Sequence, residues 1–187
     1  KSEYYRGEIF AMAGASEVHN IIVGNLIRHL GNALEGRPCQ VYPSDMRVKC
    51  PTGLLTYPDV SIVCGERKFD DEQRDTLLNP RVLFEVLSPS REAYDRGKKF
   101  RHYRTLPSLR EYVLIAQDQV CVEKFLLPND GGPWTWTAQT EGENLLTLGS
   151  CEARVRIADL YAGVEFPPPT IADVSPFTVY PDGAPPR

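Results

Sequence analysis

Two carboxylates occupy positions where the surrounding sequence favours apolar side chains. Glu85 lies inside the run 82–87, whose other members are all large and apolar. Asp59 follows Pro58 and directly precedes a second run that is mostly apolar. A carboxylate buried in such a strand costs several kcal/mol unless a cation or a proton neutralises it. Either these carboxylates form structural salt bridges, or neighbouring strands bring them together as oxygen ligands for a hard cation such as Mg²⁺.

A lysine in the basic segment that follows is expected to face the same place. On a helical wheel of about 100° per residue, Lys99 falls in the apolar arc and Asp95 lies beside it, whereas Lys98 falls on the solvent side. Lys99 could instead extend to the rim of the helix, or pair with Asp95 four residues earlier. If it faces inward, its ammonium needs an acidic partner, and Glu85 or Asp59 can provide one.

Two carboxylates and an ammonium converging on one place are typical of phosphodiester chemistry. A metal ion there lowers the pKa of a bound water, and the ammonium offsets developing negative charge. Residues 91–104 carry six Lys and Arg against two acidic residues, in a chain of net charge −4. A basic segment on an acidic body favours a local anion site over a general nucleic-acid coat. The candidate phosphate-binding residues are Arg91, Arg96, Lys98 and Arg101.

Hydrophobic spacing and turn residues predict the elements that position these side chains. A helix is predicted over 17–34 with Ser16 as its cap, and a basic helix over 91–106. Together with the strands, they indicate an α/β or α+β fold in which helices flank a mixed sheet and further strands follow at the C-terminal end. The other predicted elements are strands over 4–13, 40–49, 58–64, 81–88, 110–116, 119–127, around 134–136 and at 144–148, a surface loop over 65–80 and a short helix over 157–163.

Several motifs taken together resemble the Uma2 family, a branch of the PD-(D/E)xK restriction-endonuclease-like superfamily. The resemblance spans residues 3–166 and implies a mixed β-sheet core flanked by helices. It also implies an endonuclease that hydrolyses DNA with Mg²⁺ or Mn²⁺. The matching segments are YRGEI at 5–9, HN at 19–20, YPDV at 57–60, EVLSPS at 85–90, D-x3-K-x3-Y at 95–103 and LREYV at 109–113.

The resemblance also assigns roles to individual residues. Asp59 and Glu85 are the metal ligands, and the carbonyl of Val86 completes the protein's ligand set. The three catalytic side chains are those of Asp59, Glu85 and a lysine. The superfamily's usual lysine position holds Leu87 here, so Lys99 on the following helix takes that role. Lys98 stays open as an alternative, and the accessory candidates are His19, Glu8, Asp95 and Tyr103.

The expected organisation is a nuclease-like domain over 1–166 and a proline-rich tail over 167–187. The expected partners are DNA, with RNA left open, and a second copy of the chain. A homodimer is predicted because the hairpin 110–127, with Trp134 and Trp136, offers more apolar surface than a small domain needs. The alternative function is a nucleic-acid-binding or interaction module that keeps the fold and cuts nothing.

The cysteines and the absence of long apolar runs indicate the compartment. Five cysteines without a CxxC pattern predict free thiols in a cytoplasmic protein. No stretch reaches the roughly 20 consecutive apolar residues of a membrane span, so no membrane partner is expected.

Overall fold

The computed structural model describes residues 2–11 and 14–166, so the predicted tail over 167–187 lies outside the described residues. Its mixture of helices and mixed sheets confirms the predicted α+β class. None of the helices in this part of the chain is long and apolar enough to cross a membrane. The helices are α1 (Glu17–Ala33), α2 (Glu92–Tyr94), α3 (Phe100–Tyr103) and α4 (Ile157–Leu160).

A six-stranded mixed sheet forms the centre of the molecule. Its strands are β3 (Cys39–Pro43), β6 (Val60–Cys64), β8 (Val82–Val86), β9 (Glu111–Ile115), β10 (Val122–Leu126) and β11 (Thr135–Gln139). They lie in the order β11-β10-β9-β8-β6-β3. The central pair β8 and β9 is parallel, so the chain between them must cross back over the sheet, and α2 and α3 lie in that crossover.

A second sheet and a hairpin complete the fold. The short strands are β1 (Ser2–Tyr5), β2 (Glu8–Ala11), β4 (Arg47–Lys49), β5 (Leu55–Thr56), β7 (Thr76–Leu77), β12 (Leu145–Leu148) and β13 (Ala153–Arg156). The first five pair in the order β2-β1-β5-β4-β7, and the last two pair with each other. The N-terminal hairpin therefore belongs to the second sheet, and not to the central one.

Each face of the central sheet is covered by its own core. Ile22, Leu26 and Leu30 of α1 are fully buried in a cluster with the even-numbered side chains of β8. Since side chains alternate along a strand, the odd-numbered positions of β8 face the other way. On that side Leu83 packs in a second cluster with Phe100 of α3. Glu85 shares that face, so it points toward the crossover helices.

Several predicted boundaries are wrong, and turns explain one of them. The predicted strand 40–49 is two strands in different sheets, because a turn after β3, closed by the Met46 amide on the Pro43 carbonyl, redirects the chain. The predicted loop 65–80 contains β7, which pairs with β4. The predicted helix 91–106 is shorter and is interrupted by a π-helical turn over Asp95–Lys99.

The apolar hairpin assigned to a dimer interface is mostly part of the core. Tyr112 and Ile115 of β9 are fully buried within the chain. Trp134 packs edge-on against Phe100 at 5.3 Å between ring centroids. Among the described residues of this predicted interface, Trp136 is widely exposed, at 57%, and Phe125 and Leu126 are half-buried. Much of the apolar surface that suggests the dimer is therefore used within the protomer, and the homodimer stays a prediction.

The prediction that all five cysteines are free is wrong. Cys39 and Cys64, the paired ends of β3 and β6, form a disulfide. Sequence spacing gave no sign of it, because strand pairing, and not proximity along the chain, brings the two sulfurs together. Cys50, Cys121 and Cys151 are free thiols.

Reduction of this disulfide should destabilise the protein. The bond closes a loop with a sequence separation of 25, for which loop-closure entropy predicts a loss of about 3.5 kcal/mol in the free energy of unfolding. Urea denaturation with and without dithiothreitol measures the difference. The double variant Cys39→Ser/Cys64→Ser should have the same free energy of unfolding with and without dithiothreitol. Equal stability of the oxidised and the reduced wild type would contradict the bond.

Candidate active site

The side chain of Lys99 is the centre of a buried ionic cluster. Only 1% of the residue is exposed, although it carries an ammonium. Its Nζ lies 2.7 Å from Glu85 Oε1, 3.4 Å from Asp95 Oδ1 and 3.5 Å from Glu3 Oε1. Burial would lower the pKa of Lys99, but these carboxylates raise it above its ordinary value. Lys99 is therefore a fixed, permanently charged cation facing three acidic side chains.

Glu85 is held from two sides on the inward face of β8. Its Oε1 accepts a hydrogen bond from the Tyr103 hydroxyl at 2.8 Å in addition to the contact with Lys99. Burial raises the pKa of the Glu85 carboxyl well above its usual range; Lys99 opposes this shift, and Asp95 and Asp59 add to it. The cluster thus contains more negative charge than Lys99 alone neutralises.

The π-helical turn over Asp95–Lys99 places both of its end residues on the buried side. Asp95 is 4% exposed and Lys99 is 1% exposed, whereas Lys98 between them is exposed. The Tyr112 hydroxyl donates to the Asp95 carbonyl at 3.1 Å and so ties the turn to β9. Single π-helical turns within helices are frequent at functional sites. Among the described residues, Asp95 Oδ1 has no hydrogen-bond partner.

Glu3, which sequence analysis missed, supplies the third carboxylate. It lies on β1, is 2% exposed, and accepts hydrogen bonds from Thr56 at 2.6 Å and from Arg91 at 2.7 Å. Burial raises the pKa of Glu3, but Lys99, Thr56 and Arg91 together lower it below its ordinary value. Its only signal in the sequence is a charged residue in a short aromatic strand, which is too common to single out.

Asp59 lies directly before β6, at the open side of the cluster. Its Oδ2 accepts a hydrogen bond from the Val86 amide at 2.7 Å and lies 3.1 Å from His19 Nε2. His19 lies in the first turn of α1, where its backbone amide donates a hydrogen bond to the Ser16 hydroxyl. Asp59, Glu85, Asp95 and Lys99 all line one cleft of about 620 Å³, which we call the site cleft.

The donor set of the site cleft fits a divalent cation. Three acidic side chains, Asp59, Glu85 and Asp95, line this cleft. Its cations are Lys99 and Arg91, and Arg91 is already bound to Glu3. Within residues 2–11 and 14–166, no group of three or more His, Cys, Asp and Glu side chains forms a preassembled metal cage. A site of two carboxylates with water in the other positions suits Mg²⁺, which is usually bound in this way.

The remaining sequence candidates are distributed unevenly. Arg91 lines the site cleft, but its guanidinium is bound to Glu3. Lys98 and Arg101 are exposed. Arg96 is turned away and pairs with Glu92 and with Glu123 of β10, each by a hydrogen bond of 2.7 Å. Two carboxylates thus neutralise Arg96, and its assignment to phosphate stays a prediction.

Two further positions differ from what the resemblance implied or left open. Glu8 is exposed on β2, opposite Tyr5, and does not line the site cleft. The structure thus places Glu3, and not Glu8, at the cluster. Leu87 is 5% exposed and packs in the second core, so the usual lysine position of the superfamily holds an apolar side chain here.

Removal of the Lys99 charge should destabilise the fold. In the variant Lys99→Met, three buried carboxylates lose their shared ammonium while the apolar stem is kept, and an unpaired buried charge costs about 3–5 kcal/mol. Urea denaturation at neutral pH measures the free energy of unfolding. The neighbouring exposed Lys98→Met is the matched control and should change it by less than about 0.5 kcal/mol. Equal effects of the two substitutions would contradict the buried cluster.

Comparisons with known proteins identify the family and the fold. Residues 1–156 match the model of the Uma2 family, which is described as "Putative restriction endonuclease". Two relatives come from Synechocystis sp. One, slr1290, is 35% identical over 167 residues, or 89% of this chain and 86% of its own length. The other, sll1609, is 42% identical over 145 residues, or 77% of this chain and 81% of its own length.

A solved structure shares the fold. It is a crystal structure from Anabaena variabilis described as "a putative nuclease belonging to DUF820". It superposes with a TM-score of 0.70 at 19% sequence identity, over 86% of this chain and 89% of that one. With the family match covering most of the chain and two relatives above 30% identity, this protein belongs to the Uma2 family.

Proposed function

We propose that this Uma2 protein is a metal-dependent endonuclease that hydrolyses phosphodiester bonds in DNA. The observation that carries the proposal is the meeting of Asp59, Glu85 and Lys99 in one cleft, with Lys99 Nζ 2.7 Å from Glu85 Oε1. These three residues are distant from one another in the sequence. If they only formed a structural salt bridge, they would not need to line an open cleft. The family description as a restriction endonuclease supports the same class of reaction.

The metal ligands in this proposal are Asp59, Glu85 and the carbonyl of Val86. The acidic side chains that line the site cleft, which outnumber its cations, support a cation at this place. A bound Mg²⁺ or Mn²⁺ ion would supply Lewis-acid stabilisation of the phosphate and a bound water of lowered pKa. His19 lies 3.1 Å from Asp59 Oδ2 and so orients this carboxylate.

Lys99 has the second role in the proposal. Its ammonium is fixed by burial and by three carboxylates, so it costs no reorganisation when negative charge develops on the phosphate. Tyr103 contributes indirectly, since its hydroxyl holds Glu85. The exposed Lys98 and Arg101, with Arg91 at the cleft wall, would attract the flanking phosphates of the strand.

A homodimer stays a prediction of this proposal. A two-fold dimer would present two site clefts to the two antiparallel strands of DNA. The β9 side chains of the hairpin 110–127 are buried, whereas those of β10 from Lys124 to Leu126 are half-buried and remain available to an interface. The exposed apolar side chains among the described residues include Tyr4, Ile9 and Phe10 on the N-terminal hairpin and Trp136 on β11.

Loss of the Asp59 charge should remove cation binding and cleavage together. The variant Asp59→Asn keeps the shape of a half-buried side chain, so the fold should remain stable. Isothermal titration with Mg²⁺ should show no binding, and relaxation of supercoiled plasmid should fall by about a hundredfold or more, since the metal provides most of the charge stabilisation.

The control is Asp130→Asn, which changes an exposed aspartate that does not line the site cleft. It should bind Mg²⁺ and cut plasmid as the wild type does. If wild type binds DNA but cuts nothing with Mg²⁺ or Mn²⁺, the non-cleaving binding module is the correct function instead. If Asp59→Asn cuts as well as Asp130→Asn, the metal assignment is wrong.

A further inference from the structure

A second cavity adjoins the site cleft and differs from it in chemistry. It has a volume of about 430 Å³ and shares Ser90 and Arg91 with the site cleft, so these two residues form a wall common to both. Its lining also contains four aromatic rings, those of Tyr5, Phe10, Tyr94 and His102. We call it the aromatic cavity. None of the roles described above for the metal ligands and Lys99 uses these four rings.

Three of the four rings, those of Tyr5, Tyr94 and His102, are held in place by contacts within the protein. The Tyr5 and His102 rings meet edge-on at 4.8 Å, and the His102 Nδ1 lies 2.8 Å from the Thr52 hydroxyl. The Arg91 guanidinium lies over the Tyr94 ring at 5.4 Å, and Arg91 is itself fixed by Glu3. A ligand that stacks on these rings would therefore lose little affinity to the ordering of side chains.

Two cations line the aromatic cavity, Arg91 on the wall shared with the site cleft and Lys98 next to Lys99 in the sequence. Lys98 lines the cavity and is exposed, whereas Lys99, the next residue, points into the site cleft. The π-helical turn over Asp95–Lys99 thus lies beside both spaces. A strand with one phosphate in the site cleft would place the adjacent phosphate near Lys98 and the attached base near the rings.

We infer that the aromatic cavity binds one unstacked nucleobase of the substrate strand, next to the phosphate in the site cleft. This inference rests on the proposed function, because it takes the strand to pass through the site cleft. Aromatic rings bind bases of any sequence through their π faces, and a paired base cannot enter such a cavity. The substrate class is therefore a single strand, or a duplex with one base turned out, read with little sequence preference.

The test separates the contribution of bases from that of phosphates. Wild type is titrated, with Ca²⁺ in place of Mg²⁺ to prevent cleavage, into a fluorescent oligothymidylate and into an abasic oligomer of the same length. The two probes carry the same backbone charge and differ only in the bases. We expect the oligothymidylate to bind roughly 5- to 100-fold more tightly, the range that stacking of one base provides.

Substitutions locate the preference. Tyr94→Ala should bring the affinities for the two probes together, and Tyr94→Phe should restore the difference. Because Tyr94 contacts Arg91 and its substitution could disturb the fold, Phe10→Ala serves as a second variant on an exposed hairpin, with 43% of Phe10 exposed. Tyr4→Ala is the matched control, an exposed ring of the same hairpin outside the aromatic cavity, and should keep the full preference.

Each outcome decides the inference. Equal binding of both probes by wild type overturns it, even if plasmid is cut and the proposed function stands. A base preference that Tyr94→Ala and Phe10→Ala abolish supports it, even if no plasmid is cut and the proposed function fails. If free thymidine monophosphate competes as tightly as the oligothymidylate, the ligand is a free nucleotide and the strand assignment is overturned. Absence of binding to either probe overturns it as well.

Discussion

The ion pair between Lys99 and Glu85 is the interaction on which the rest of the site depends. A buried ammonium is tolerated only when carboxylates surround it. These carboxylates come from three elements: Glu85 from β8, Asp95 from the crossover helix and Glu3 from the N-terminal hairpin. The central sheet, the crossover helix and the second sheet must therefore meet at one point for the charge to be balanced, so assembling the fold also assembles the cluster.

The same charge balance separates a fixed interior from an open edge. Lys99, Glu85 and Asp95 are almost completely buried, whereas Asp59 lies at the rim with its side chain 15% exposed. The cluster retains excess negative charge, and its open side is where a cation and a phosphate could enter. In our proposal the buried groups keep the geometry and the rim residues exchange ligands. The family's restriction-endonuclease description is consistent with this division of roles.

Local sequence patterns predict those charged residues that stand out against the apolar pattern of their own strand or helix. Glu85 inside an apolar strand and Lys99 inside the apolar arc of a helix are both buried as expected. Features that depend on pairing between distant elements could not be predicted in this way. Glu3 is recruited by the pairing of β1 with β5, and the Cys39–Cys64 disulfide by the register of β3 with β6. Arg96 lies in the basic segment that suggests phosphate binding, and its pairing with Glu123 could not be predicted because Glu123 lies on a distant strand.

In our proposal Lys99 takes the catalytic role that the superfamily usually gives to the position of Leu87, and the proposed mechanism depends on this placement. The most direct test is plasmid cleavage with Mg²⁺ by Lys99→Ala and Lys98→Ala, each shown by circular dichroism to be folded at the assay temperature. We expect Lys99→Ala to lose about a hundredfold or more of the cleavage rate while it still binds Mg²⁺. Lys98→Ala should lose a few-fold, and less at high salt, where the one phosphate contact that it removes contributes less to binding. Loss of cleavage in Lys98→Ala with near-normal cleavage in Lys99→Ala would contradict the account.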